Sequence, residues 1–139
     1  MTATESTEVP TDRAQGASVV EVSRVVPQPI DEVWQVLITS AGAEALLGSG
    51  AHLGGKGETW RCTDGSHGVV RSYHPMEQVR ISWHADEHAP ASLVELDLTR
   101  EGEGTRLGLR HEQIPDVAMS PSLQRRWEDA LGRIGGATT

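Results

Sequence analysis

The chain has 139 residues and a formal net charge of −8, from 12 Lys and Arg against 20 Asp and Glu. A length near this suits one domain, which buries about two-thirds of its unfolded surface and needs neither disulfide nor metal to hold a core. The charge disfavours nucleic acid, whose binding rests on neutralising phosphates, and no apolar run reaches the roughly 20 residues that cross a bilayer.

The single cysteine, Cys62, rules out an intrachain disulfide and a multi-thiolate zinc site and fits a reducing cytoplasm; a buried, structural role suits it best. Arg125 and Arg126 are adjacent, but Glu128 and Asp129 follow and cancel the local field. Residues 1–18 are rich in Thr, Ser, Glu and Pro without periodicity, the composition of a flexible tail, and contain no apolar stretch of a signal peptide. Residues 19–136 are then a single domain.

From Val19 to Val26 β-branched residues predict a strand, ended by Pro27 and Pro29. Ile30, Val33, Trp34, Leu37 and Ile38 recur at helical spacing, and Ser40 is placed to cap a second short helix that runs to Leu47 and stops at the glycines 48 and 50. A short segment around Trp60 leads to a turn at Asp64-Gly65. Strands follow over about 67–74, 78–84, 91–100 and 104–113, and Ser120-Pro121 opens a last helix striped by Leu123, Trp127, Ala130, Leu131 and Ile134.

The order is strand, two short helices, about five antiparallel strands and a helix, an α+β plan. Alternation places Val79, Ile81 and Trp83 on one sheet face with Val94, Leu96, Leu98, Leu107, Leu109 and His111, while Arg80, Ser82, Glu95, Asp97, Arg106 and Arg110 face water.

Four segments in order resemble the activator-of-Hsp90-ATPase homologue group of the START/Bet v 1-like (SRPBCC) superfamily. They are Pro29 to Trp34 after the first strand, Gly68-Val69-Val70 through Pro75 to Trp83, Gly104 to His111 running into Ile114-Pro115-Asp116, and Trp127 with Leu131 in the last helix. The resemblance covers about 20–134. It implies a helix-grip fold, a curved antiparallel sheet wrapped round the C-terminal helix, with an internal cavity of the kind that takes hydrophobic or amphipathic small molecules. The family usually carries a Trp-rich segment after the first helix, where this chain has Leu46-Leu47-Gly48-Ser49-Gly50. Members that stimulate Hsp90 carry a further N-terminal domain, and the resemblance covers none of it.

Candidate ligand-binding residues are Trp60, Trp83, His111, Arg24, Tyr73 and Trp127. The tryptophans supply most of the aromatic volume in a chain without phenylalanine, and each brings an N–H that needs a partner when buried. His111, on the apolar parity of its strand, is either a ligand-orienting or acid/base imidazole or a core histidine bonded to its surroundings. Arg24 shares parity with Val20, Val22 and Val26, so it either anchors an anion inside or packs its stem and sends its head to solvent. Tyr73 depends on a strand parity that Val69-Val70 leaves open.

His84, Asp86, Glu87 and His88 form a solvated turn better than a metal site, and no metal or cofactor is expected. No nucleophile motif stands out. The expected function is binding of a small hydrophobic or aromatic ligand by a cytoplasmic monomer or homodimer. The alternatives are a polyketide cyclase/aromatase-like enzyme with His111 as acid/base, and a chaperone-accessory or protein-interaction module.

Overall fold

The computed structural model describes residues 19–52 and 54–137; the expected tail, residues 1–18, lies outside them. Strands β1 (Val20–Val26), β2 (Thr59–Arg61), β3 (His67–His74), β4 (Gln78–Trp83), β5 (Ser92–Glu101) and β6 (Gly104–Glu112) form one antiparallel sheet in the order β1-β6-β5-β4-β3-β2. Two helices, α1 (Ile30–Leu37) and α2 (Ser40–Leu47), connect β1 to β2, and a 3-10 turn at Val117–Met119 leads into the long α3 (Ser120–Ala137). No described helix is long and apolar enough to cross a membrane.

The alternation of β4, β5 and β6 is realised except at Ser82, expected to face water but buried beside β3, where its hydroxyl accepts from Val69 N–H at 2.9 Å. Val79, Ile81, Trp83, Val94, Leu96, Leu98, Leu107, Leu109 and His111 are buried, and they meet the buried stripe Leu123, Trp127, Ala130, Leu131 and Ile134 of α3. On the opposite face Arg80 pairs with Glu95 at 3.0 Å and Arg110 with Glu21 at 3.1 Å. Burial of the apolar faces against each other is the main force holding α3 in the sheet's grip.

Strand β3 carries the irregularity. Its register with β4 runs Val70↔Ile81 and then Ser72↔Arg80, so Arg71 is an extra residue, a bulge. The bulge reverses side-chain parity, and both Val70, before it, and Tyr73, after it, face the core side, where Tyr73 meets buried Trp34 edge-on at 5.3 Å.

The cap of α2 differs from the expected one. Thr39, not Ser40, is the N-cap: its Oγ1 accepts from Gly42 N–H at 3.1 Å and donates to the Val36 carbonyl at 2.6 Å. One hydroxyl thus ends α1 and begins α2. Thr39 takes this place because its backbone is extended (φ −91°, ψ 163°), as a cap requires, while Ser40 is already helical.

The candidate metal cluster is a turn. His84 Nδ1–H donates to the Ala89 carbonyl at 2.9 Å, its ring stacks on His67 at 4.5 Å, and Asp86 accepts from His88 N–H. Among the described residues no three His, Cys, Asp or Glu side chains gather as metal ligands do.

Candidate ligand pocket and its buried polar chain

Three of the six candidate residues come together where α3 crosses the ends of β4, β5 and β6. The Trp83 ring meets His111 at 5.1 Å and Trp127 at 6.2 Å, and His111 meets Trp127 at 5.8 Å, all edge-to-face. The expected walls of a cavity therefore pack on one another. The guanidinium of Arg126 lies over both indoles, 5.6 Å from each ring centre, a cation–π position.

The other three stand apart. Trp60 is buried over Gly68 and donates its Nε1–H to the Ser82 carbonyl at 3.2 Å. A Cβ at position 68 would strike the Ser82 carbonyl and this indole nitrogen, which explains the glycine there. Tyr73 sits half-buried against Trp34. Arg24 is exposed, with its guanidinium beside the α3 glycines Gly132 and Gly135.

His111 is fully buried, and its hydrogen bonds fix its proton. Trp127 Nε1–H donates to Nδ1 at 3.0 Å. Nδ1 is then without hydrogen, and the neutral ring carries its one proton on Nε2. That N–H donates to Ser92 Oγ at 2.6 Å, and Ser92 in turn donates to the Trp83 carbonyl at 3.0 Å. The chain runs one way, from indole to imidazole to hydroxyl to carbonyl. Burial, with the nearby Arg126 charge second, lowers the His111 pKa to about 4, so the ring is neutral at pH 7.

The Ser92–His111 pair has the spacing of a nucleophile and its base but the opposite wiring. A base that activates serine must offer a bare Nε2, with a third group accepting from Nδ1–H. Here the third group is a donor, and Nε2 already holds the proton. Cys62 offers no nucleophile either, since burial raises its thiol pKa.

Beside this cluster is a pocket of about 110 Å³. Trp83, Ala85, Ala89, Pro90, Pro115 and Met119 form its apolar walls, with Ser92 and Asp116 as its polar members. The Asp116 carboxylate already accepts from Ala118 N–H at 3.0 Å. Trp83 is 4% exposed, and its Nε1–H has no partner among the described residues. A trough of about 400 Å³ lies on the outer sheet face between Glu21, Glu95, Asp97, Arg106 and Arg110. It is larger but open and charged, and its arginines are engaged with neighbouring carboxylates, so the small apolar pocket is the better ligand site.

Sequence reasoning singles out neither Ser92 nor the inward role of Arg126. Ser92 carries a readable signal, as the polar residue on the inner parity of a strand that continues Val94, Leu96, Leu98. Arg126 carries none, since its neighbours Arg125, Glu128 and Asp129 suggest a solvated face.

A six-stranded antiparallel sheet closed round a C-terminal helix, with two short helices after the first strand, is the helix-grip fold. The family described as activator of Hsp90 ATPase homolog 1-like protein matches residues 27–137, and the chain belongs to that family. Among solved structures it is similar to CalU16 from Micromonospora echinospora, with 26% identity and a TM-score of 0.73 over 87% of this chain and 76% of that one. It is also similar to DynU16, a protein of the dynemicin biosynthetic locus, with 24% identity and a TM-score of 0.72 over 86% of this chain. The chain spans 46% of the DynU16 chain. The Aha1 dimer from Colwellia psychrerythraea shares the fold at 16% identity and a TM-score of 0.72, with 86% of this chain and 95% of that one covered. No curated protein matches the chain.

Proposed function

We propose that this protein binds a small hydrophobic or aromatic molecule, seating part of one ring or a short alkyl group in the pocket beside Trp83. The observation that carries this is the 110 Å³ apolar pocket beside the Trp83, His111 and Trp127 cluster. At about 110 Å³ the pocket is smaller than the roughly 150 Å³ apolar cavity that holds benzene, so it seats a short alkyl group or part of one ring, and the remainder of the ligand lies outside it. The wiring of His111, with both nitrogens engaged, supports binding over acid/base chemistry. A cytoplasmic location suits the free Cys62, and the protein works as a monomer or homodimer.

Trp83 makes the test direct. Titration with toluene, ethylbenzene and short-chain alcohols should give saturable changes in tryptophan fluorescence, and Ala89→Leu, which fills the pocket, should abolish them. No saturable response to any compound, or an undiminished response in Ala89→Leu, would overturn the reading.

A further inference from the structure

We infer that a second pocket, on the outer face of the sheet at the β3 bulge, binds a small organic carboxylate, and that the Arg71 and Arg80 guanidinium groups hold its oxygens. This pocket is separate from the one beside Trp83 and does not depend on the binding proposed there.

The pocket has a volume of about 340 Å³, within the range of small-molecule sites. Arg71, Arg80 and the exposed Gln113 are polar members of its wall, and Ala91 and Leu93 add apolar surface. The bulge accounts for the two arginines. Continued without it, the Val70↔Ile81 register would set Arg71 directly opposite Arg80, a like-charge pair that destabilises a sheet. With it, Ser72 stands opposite Arg80, and Arg71 shares the pocket without facing Arg80 in the ladder.

Both guanidinium groups are open to a ligand. Arg71 is exposed and takes part in none of the ion pairs or hydrogen bonds among the described residues. Arg80 lies 3.0 Å from Glu95 through its Nε, which is buried. Its side chain is nonetheless 43% exposed, so its terminal amino groups are the accessible part. Arg106 and Arg110, on the same sheet face, are by contrast engaged with Glu101 and Glu21.

The local charge sets the kind of anion. Two guanidinium groups against the one carboxylate of Glu95 leave a single positive excess, in a chain of formal net charge −8. Glu112, opposite Leu93 in the register, lies 3.6 Å from Arg110. A monoanion suits this balance, whereas a phosphate dianion meets added repulsion from Glu95 and Glu112. The planar fork of a guanidinium matches the two oxygens of a carboxylate, and Leu93 with Ala91 can cover an apolar body attached to it.

Benzoate and benzamide have nearly the same shape and differ in charge, so together they isolate the carboxylate. Titrated into the full chain labelled with ¹⁵N, benzoate should move the backbone amide signals of Arg71, Ser72, Leu93 and Gln113 saturably. It should bind about tenfold more tightly than benzamide, the worth of one charged hydrogen bond. Arg71→Gln should weaken benzoate by about the same factor, and Arg71→Lys, which keeps the charge but loses the fork, by less. Arg100→Gln, which removes an exposed arginine near the other end of β5, should leave benzoate binding unchanged.

Benzamide binding as well as benzoate, an undiminished affinity in Arg71→Gln, or an equal loss in Arg100→Gln would each overturn the inference. Inorganic phosphate binding more tightly than benzoate at the same amides would replace the carboxylate by a phosphate and overturn it too. Benzoate that moves only signals around Trp83, or none at all, would remove the outer site and leave the apolar pocket to its own test.

Discussion

At His111, burial and hydrogen bonding act in the same direction. Desolvation disfavours the imidazolium, and the indole donor on Nδ1 can be accepted only by the neutral ring. With a folded pKa of about 4 and an ordinary value of 6.5, the unfolded chain binds a proton between those values that the folded chain refuses. Stability is therefore level above about pH 6.5 and falls as pH drops toward 4, by roughly 3 kcal/mol in total. Asp64 acts in a lower window. Burial alone would raise its carboxyl, but the Ser66 hydroxyl and N–H, with Arg126, hold it below 3.8, so its contribution is lost only as pH falls below about 4. Urea unfolding at pH 7, 6, 5 and 4.5 should show the slope in the native protein and a flattened one in His111→Gln. An unchanged slope in that variant would assign the loss to other groups.

Among the elements, α3 shows how a helix can be both poorly helical in composition and well held. Gly132 and Gly135 let β1 lie close, but they differ in what a methyl group would meet. At 132 a Cβ would come no nearer than 3.8 Å, to Arg24 Nη1, whereas at 135 it would stand 3.1 Å from Val26 Cγ1. Alanine is worth up to about 1 kcal/mol over glycine in a helix interior. Gly132→Ala should therefore stabilise by about 0.5–1 kcal/mol, while Gly135→Ala should gain nothing or lose, because Val26 is fixed in the core. Equal gains in thermal unfolding at both positions would contradict this account. Elements of this kind were legible in the sequence where periodicity is unbroken: the stripe of α3 and the alternation of β4 to β6 place each side chain on its correct face. Strand β3 was not, because the bulge at Arg71 leaves no mark in the local pattern yet changes the parity of everything after it. The site was half legible for a related reason. Parity brings Trp83, His111 and Trp127 inward, but which inward residues touch is decided by tertiary register, and that register leaves Trp60 and Tyr73 elsewhere.

Across the whole molecule, α3 also completes the end of α2. A helix leaves its last carbonyls without intrahelical partners, and α2 has no basic residue in its last turn. Arg126 and Arg133, seven residues apart and so on one face of α3, supply what is missing. Arg126 Nη2 donates to the Leu47 carbonyl at 2.8 Å, and Arg133 Nε to the Ala45 carbonyl at 3.0 Å. Arg126 does more, since its guanidinium also covers Trp83 and Trp127 and reaches Asp64 at 3.4 Å. It joins α2, the β2–β3 turn and the indole cluster through one side chain. Arg126→Met should accordingly destabilise by about 1–3 kcal/mol, and removal of its positive charge should raise the His111 titration midpoint. Arg133→Met, which loses one exposed bond, should be milder, about 0.5–1 kcal/mol, and should leave that midpoint in place. Following the His111 ring carbon-bound protons by NMR against pH separates the two. If both variants shift the midpoint alike, Arg126 acts on His111 only through general loosening of α3, and the direct field of its guanidinium has no part in keeping the ring neutral.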